Sequence, residues 1–245
     1  MIKKLYEKSE IWFSVVCIIA YVVLASVADN LSETIGILKI VTLPILVILS
    51  IILIVFIKRN GLLEKYGFCK PKTSNLKMLF YFPLIVLITA NLWYGVSVNY
   101  SLIETILYVL SMFCVGFLEE IIFRGFLFKA MAKNGEKLAI IVSSITFGFG
   151  HIVNLINGSG AELLPTILQI IYAVAVGFTF VMIYYKTKSL IPCILTHGIF
   201  NGLSAFSNEL AITPSREIFS SIIIAVIAGG YALYIALAVK GSKES

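Results

Sequence analysis

Two adjacent glutamates and an arginine lie inside an otherwise apolar stretch, FLEEIIFRG, at residues 117–125. They are Glu119, Glu120 and Arg124. Burying a carboxylate in an apolar environment is costly unless it is paired, protonated or in contact with water. Glutamate is also a residue type that takes up and releases protons during catalysis. Charges in such a segment therefore indicate a functional site rather than a solvated surface.

The spacing of the three charges predicts two different roles. Glu120 and Arg124 are four residues apart, so on a helix they share a face and can form an ion pair. Glu119 points about 100° away from Glu120, given 3.6 residues per turn. A salt bridge that only fixes helix packing would explain Glu120 and Arg124 but leaves Glu119 unpaired. We therefore predict that Arg124 holds Glu120 while Glu119 faces a cavity.

The only two histidines of the chain lie in other apolar segments. His151 ends FGFGH, four residues after Phe147, and His197 begins HGIFN, four residues before Asn201. A single histidine in a membrane helix is more often a hydrogen-bonded packing residue. Here both histidines and an unpaired Glu119 are predicted to be within the membrane, so we expect them to converge on one site.

Glycines flank these polar positions, namely Gly148, Gly150, Gly198 and Gly202. Small residues let two helices approach closely, which is what bringing the polar side chains together would require. Generic tight packing explains these glycines equally well.

The composition indicates a membrane protein. Of 245 residues, 60% are hydrophobic and 13% are charged, and the mean hydropathy is +1.01. A soluble domain has about a quarter charged residues, so we expect the solvent to be largely a lipid bilayer. The net charge of +6 is interpreted as a signal of orientation in the membrane, and no nucleic-acid partner is expected.

We predict an all-α fold, a polytopic membrane helix bundle with about eight transmembrane helices. The apolar segments are residues 11–28, 35–57, 78–95, 102–128, 137–151, 165–185, 189–205 and 217–239. The fifth and seventh are short and polar, so they are expected to line the protein interior. The first is interpreted as a retained signal anchor, because it is longer than the apolar region of a cleaved signal peptide.

Basic residues predict a multi-pass protein of the cell membrane with both termini cytoplasmic, because cytoplasmic segments collect Lys and Arg. With eight helices, the cytoplasmic segments hold Lys3, Lys4, Lys8, Lys58, Arg59, Lys65, Lys70, Lys72, Lys77, Lys129, Lys133, Lys137, Lys186, Lys188, Lys240 and Lys243. The other side keeps only Lys39 and Arg216. The four cysteines form no CxxC pair and are interpreted as packing residues rather than disulfides or metal ligands.

Three motifs in this order resemble a known family. EEIIFR at residues 119–124, FGFGH at 147–151 and HGIFN at 197–201 are similar to those of the CAAX proteases and bacteriocin-processing enzymes, the CPBP or Abi family of intramembrane proteases. Each motif alone is weak, but the ordered set on separate helices is specific. The resemblance covers roughly residues 100–205. We divide the chain accordingly into N-terminal helices and a basic loop (1–98), a catalytic core (99–205) and a C-terminal helix (206–245).

The resemblance implies a role for each motif residue. Glu119 and His151 would activate a water molecule. His197 and Asn201 would stabilise the oxyanion of a tetrahedral intermediate, and the Glu120–Arg124 pair would support the site. The family is conventionally described as metalloproteases, and His151, His197 and Glu119 could hold zinc. HExxH is absent, however, and Asn is a poor zinc ligand, so direct activation of water by Glu119 remains an equal alternative.

The resulting hypothesis is an intramembrane endopeptidase that cleaves a membrane-associated peptide or a lipid-anchored protein. CAAX-type processing, leader-peptide or signalling-peptide processing and bacteriocin immunity are the activities that the family implies. A composition rich in Ile, Lys and Asn favours a bacterial source and the latter activities. A non-catalytic membrane scaffold is the alternative. A proton-coupled transporter is a third interpretation, but the sequence lacks inverted repeats and paired broken helices. The sequence does not indicate an oligomeric state.

Overall fold

A computed structural model describes residues 2–158 and 160–239. Among these described residues, six helical segments are long and apolar enough to cross a membrane. They are α2 (Glu10–Ile35), α3 (Thr42–Arg59), Leu102–Ala132, Glu136–Leu155, α8 (Leu163–Thr187) and α10 (Pro214–Ala238). Leu102–Ala132 contains α5 (Leu102–Glu119), a π-helix (Glu120–Phe128) and α6 (Lys129–Ala132), whereas Glu136–Leu155 contains α7 (Glu136–Gly150) and a 3-10 helix (His151–Leu155). Lys240 and Lys243, assigned above to a cytoplasmic segment, lie outside the described residues.

Two further apolar segments are shorter. Leu79–Leu92 consists of α4 (Phe82–Ile88) between two 3-10 turns, and Ile191–Phe206 consists of α9 (Ile191–Leu203) and one 3-10 turn. The short α1 (Ile2–Lys8) precedes α2. Within residues 2–158 and 160–239 there is no strand, only an isolated bridge between Val96 and Ser207. The predicted all-α membrane bundle is confirmed.

Contacts between loops define the two ends of the bundle. At one end the amide of Lys72 donates to the carbonyl of Thr187 (2.8 Å), and Tyr234 of α10 donates to the carbonyl of Lys77 (3.0 Å). We call this the basic end, because the predicted cytoplasmic loops lie here. At the far end, the amide of Leu38 donates to Glu104 (3.2 Å), and the amide of Ser97 donates to the carbonyl of Phe206 (2.9 Å).

Among the described residues, the chain therefore passes between the two ends of the bundle eight times: the six long segments and the two shorter ones each connect the basic end to the far end. The described N-terminal and C-terminal residues both lie at the basic end. The membrane side that each end faces stays a prediction. The domain division also stays a prediction, and two buried clusters cross its boundaries: one runs from Phe13 to Leu190 and the other from Met78 to Val239.

Helix α5, which carries the glutamates, begins at a capping box. Ser101 accepts a hydrogen bond from the amide of Glu104 (3.3 Å), and the Glu104 carboxylate accepts one from the amide of Ser101 (3.3 Å). These reciprocal bonds satisfy amides that lack partners within the helix. The start of α5 is therefore fixed. Because Glu119 is the last residue of α5, its distance from the far end of the bundle is fixed as well.

Four predicted helices differ from the observed ones. The helix predicted at 11–28 continues to Ile35. The segment predicted to start at residue 35 begins at Thr42, because residues 36–41 form a turn with positive φ at Gly36 (80°) and Lys39 (61°). The helix predicted at 78–95 is interrupted by positive φ at Leu79, Phe80 and Tyr81. The helix predicted at 102–128 changes from α to π geometry at Glu120. Apolar runs reveal none of these local changes, because they depend on backbone conformation rather than on hydropathy.

Close approach of helices depends on three glycines near the motifs. A Cβ atom at Gly116 of α5 would lie 2.6 Å from the amide nitrogen of Gly198 on α9, and one at Gly148 of α7 would lie 2.7 Å from that of Val174 on α8. Gly148 and Gly198 thus act as predicted. Gly150 and Gly202 do not, since a Cβ atom there would meet nothing within 4 Å or only ordinary contacts from 3.6 Å.

We predict that Gly116→Ala lowers the melting temperature of the purified protein in detergent. The added methyl group meets backbone atoms of α9, and overpacking of this kind costs about 1–3 kcal/mol. Gly229→Ala is the matched control, because this helical glycine has open space at its Cβ position. Equal melting temperatures for the two variants would contradict the close approach of α5 and α9.

Candidate active site

The site is built around a fully buried ion pair. Nη1 of Arg124 lies 3.0 Å from Oε1 of Glu120, and both side chains are 0% exposed. The pair predicted from the i, i+4 spacing is therefore present, although it forms within the π-helix rather than an α-helix. π-Helical turns are rare and occur frequently at functional sites.

Aromatic rings complete the surroundings of Arg124. Its guanidinium carbon lies 3.9 Å from the ring centroid of Phe147 and 5.5 Å from that of Phe180. Nε and Nη2 of Arg124 have no hydrogen-bond partner among the described residues. The ring faces therefore supply part of the electrostatic stabilisation that this buried cation needs, and Glu120 supplies its counter-charge.

His197 joins the two glutamates. Its Nδ1 lies 2.9 Å from Oε1 of Glu120, and its Nε2 lies 3.6 Å from Oε2 of Glu119. A carboxylate paired with arginine only accepts hydrogen bonds, so Nδ1–H of His197 donates a hydrogen bond to Glu120. The close packing of Gly116 against Gly198 makes this contact between α5 and α9 possible.

Glu119 differs from Glu120 in exposure and in partners. Its side chain is 13% exposed and lines a cavity of about 150 Å³, which we call the Glu119 cavity. The hydroxyl of Tyr21 on α2 donates to Oε1 of Glu119 at 2.7 Å. The expectation that Glu119 is unpaired is therefore wrong, but the prediction that it faces a cavity holds. Oε2 is the oxygen left towards His197.

The other two motif residues lie around the same centre. His151 lines the Glu119 cavity and also a second cavity of about 50 Å³, into which His197 and Asn201 face. The ring of Phe147 packs edge-on against both histidines, with centroid distances of 5.7 Å. Phe147 and His151 line both cavities, so Glu119 in the first and Asn201 in the second lie in neighbouring spaces.

Tyr21 is the site residue that the sequence analysis missed. It lies in the first membrane helix, outside the three motifs, and an isolated tyrosine in an apolar run gives no signal of function. Its side chain is 9% exposed. A buried tyrosine hydroxyl usually finds a hydrogen-bond partner, and here that partner is Glu119.

The candidate metal ligands do not form a metal site. Within residues 2–158 and 160–239, no group of three or more His, Cys, Asp or Glu side chains is arranged to hold a metal ion. Nδ1 of His197 is bound to Glu120, and Oε1 of Glu119 accepts from Tyr21. Nε2 of His197 and Oε2 of Glu119 remain 3.6 Å apart, but His151 does not complete a three-ligand group with them, so the mechanism below includes no metal.

A comparison with protein families places this site in a known context. Residues 101–203 match a family model described as type II CAAX prenyl endopeptidase Rce1-like. The match confirms the resemblance to the CPBP family over that segment. The match covers less than half of the chain and contains all six candidate residues, whereas Tyr21 lies outside it. No curated protein and no solved structure matches the chain.

We predict that Glu120→Gln strongly destabilises the protein, because it leaves Arg124 buried without a counter-charge. Removing one partner of a buried ion pair costs about 3–5 kcal/mol. Thermal unfolding in detergent should show a lower melting temperature for Glu120→Gln and partial recovery when Arg124→Met is added. Glu64→Gln removes the partner of an exposed lysine, Lys72, and should leave the melting temperature unchanged. A wild-type melting temperature for Glu120→Gln would contradict this role.

Proposed function

We propose that the protein, whose segment 101–203 is Rce1-like, is an intramembrane endopeptidase that hydrolyses a peptide bond with water activated by Glu119. One observation carries the proposal: two adjacent glutamates occupy opposite environments. Glu120 is fully buried and bound by Arg124 and His197, whereas Glu119 faces a cavity large enough for several water molecules. A general base needs access to the water that it deprotonates, and a supporting carboxylate does not.

In the proposed reaction, Glu119 takes a proton from water, and the resulting hydroxide attacks the scissile carbonyl carbon. His151 lies on the same cavity, where it can orient this water. The carbonyl oxygen becomes an oxyanion, which accepts hydrogen bonds from the side-chain amide of Asn201 and from Nε2–H of His197. Glu119 then gives its proton to the amine nitrogen as the carbon–nitrogen bond breaks.

Tyr21 is assigned a positioning role in this scheme. Its hydroxyl binds Oε1 of Glu119, so the carboxylate is oriented with Oε2 towards the reacting water. Arg124 acts through Glu120 and Phe147 rather than on the substrate. The proposed roles are therefore a general base (Glu119), a histidine that orients water (His151) and two donors to the oxyanion (His197 and Asn201). The buried Glu120–Arg124 pair supports them.

The proposed substrate is a peptide or protein associated with the membrane. A prenylated C-terminal tail, a leader peptide and a signalling peptide all remain within this proposal. The alternative function is a scaffold that binds a partner without cleaving it. Cleavage itself distinguishes the two, since a scaffold does not require a base that faces water.

We predict that Glu119→Gln lowers the cleavage rate by about two to four orders of magnitude, the usual contribution of a general base, while the melting temperature stays close to wild type. The substrate is first identified by mass spectrometry of peptides that accumulate in cells with Glu119→Gln but not in cells with the wild type. Its cleavage is then measured with purified protein. Glu209→Gln, in an exposed loop, is the control. Wild-type cleavage by Glu119→Gln would refute the proposal.

A chelator should leave cleavage unchanged, because Glu119 activates water directly in the proposed reaction and no step uses a metal. The measurement is cleavage after treatment with 1,10-phenanthroline, together with the zinc content of the purified protein, which should lie well below one per chain. A loss of activity that added zinc restores would show that the side chains rearrange around a metal.

A further inference from the structure

A polar cleft lies at the far end of the bundle. It has a volume of about 480 Å³ and is lined by the end of α2, the turn before α3 and residues 157–158. Asp29, Glu33 and Lys39 are its ionisable residues. The side chain of Asn30 on α2 donates a hydrogen bond to the carbonyl of Asn157 on the opposite side of the cleft (2.8 Å). The cleft is thus a built feature between two segments rather than a gap in a loop.

The cleft and the Glu119 cavity share a wall. Asp29, Lys39 and Asn157 line both spaces. At this wall Nζ of Lys39 lies 2.8 Å from Oδ1 of Asp29, which also accepts a hydrogen bond from the hydroxyl of Thr42 at 2.6 Å. The two spaces are therefore adjacent, and the Asp29–Lys39 pair lies between the far end and the Glu119 cavity.

Towards the basic end the space beside Glu119 is apolar rather than polar. A cavity of about 250 Å³ extends from Ile2 and Leu5 to Tyr21 between hydrophobic side chains. Phe13, Phe56, Tyr66 and Phe126 are each at most 9% exposed, and their rings pack with centroid distances of 4.9–5.3 Å. These aromatic contacts fill the bundle beside this apolar cavity, and no charged or amide side chain is among the residues that line it.

Ion pairs cover this aromatic layer. Lys65 and Lys133 both bind Glu10, at 2.7 Å and 3.0 Å. Burial alone would lower the pKa of Lys65, but hydrogen bonds to Glu10 and Tyr6 raise it above its usual value. Lys65 therefore stays charged at neutral pH and keeps the ion pair closed.

We propose that substrate reaches Glu119 from the far end, through the polar cleft and past the Asp29–Lys39 pair. This inference rests on the proposed function and narrows its substrate class. A path lined by Asp, Lys and Asn side chains suits a hydrated, extended peptide segment, whereas a chain immersed in lipid would meet charged groups at a cost. With the termini cytoplasmic, as the basic residues predict, the scissile segment is presented on the outer face of the membrane.

Thiol labelling tests this path without a known substrate and without catalysis. The four native cysteines are replaced, and single cysteines are introduced as Glu119→Cys and as Ser26→Cys, which lines the same cavity outside the catalytic set. The probe is a charged, membrane-impermeant methanethiosulfonate applied to sealed vesicles. Leu210→Cys reports the far end and Glu64→Cys the basic end, and both positions are exposed.

We expect Glu119→Cys and Ser26→Cys to react from the side that labels Leu210→Cys and not from the side that labels Glu64→Cys. Adding Glu33→Trp, which fills the cleft, should slow labelling of Ser26→Cys at least tenfold. The matched variant Leu210→Trp places the same bulk at the same end outside the cleft and should leave this rate unchanged.

Three results would overturn the proposed path: labelling of Ser26→Cys from the side of Glu64→Cys, labelling only by a lipid-soluble thiol reagent, or equal rates with and without Glu33→Trp. If Glu119→Cys does not fold, Ser26→Cys alone decides between these outcomes. Because labelling requires no hydrolysis, its result is independent of the proposed function, which is tested by cleavage with Glu119→Gln.

Discussion

The buried charge of Arg124 is the constraint on which the site depends. An arginine side chain cannot lose its proton in a protein, and here it is fully enclosed by helices that are otherwise apolar. Its compensation comes from Glu120 and from the faces of Phe147 and Phe180. Because Glu120 is fixed by this pair, its second contact fixes the ring of His197, and the orientation of α9 follows from that of α5.

With Glu120 fixed in this way, Glu119 is the glutamate that faces the cavity. Were both glutamates oriented towards the cavity, two carboxylates would share one site and repel each other. Instead, the cation holds Glu120, and Tyr21 from α2 holds only one oxygen of Glu119. The N-terminal part of the chain therefore takes part in the site, although the family match begins only at residue 101. The same part of the chain forms the wall between the Glu119 cavity and the polar cleft.

The sequence predicted the helical membrane bundle, the Glu120–Arg124 pair and the grouping of the two histidines, because each depends on hydropathy or on helical spacing. It did not reveal the π-helix, the turn at residues 36–41 or the break at residues 79–81, because these are choices of backbone conformation within apolar runs. Tyr21 and Gly116 were also missed. Their importance comes from a partner on another helix, and pairing between helices cannot be read from one sequence.

The central claim is that Glu119, and not Glu120, faces the reacting carbonyl group. A cryo-electron microscopy structure of the Glu119→Gln variant with an uncleaved substrate tests it most directly. We expect the scissile carbonyl carbon in the Glu119 cavity, with its oxygen within hydrogen-bond distance of His197 and Asn201 and the Glu120–Arg124 pair unchanged. A scissile bond bound elsewhere, or one that contacts Glu120 after the ion pair has opened, would contradict the account.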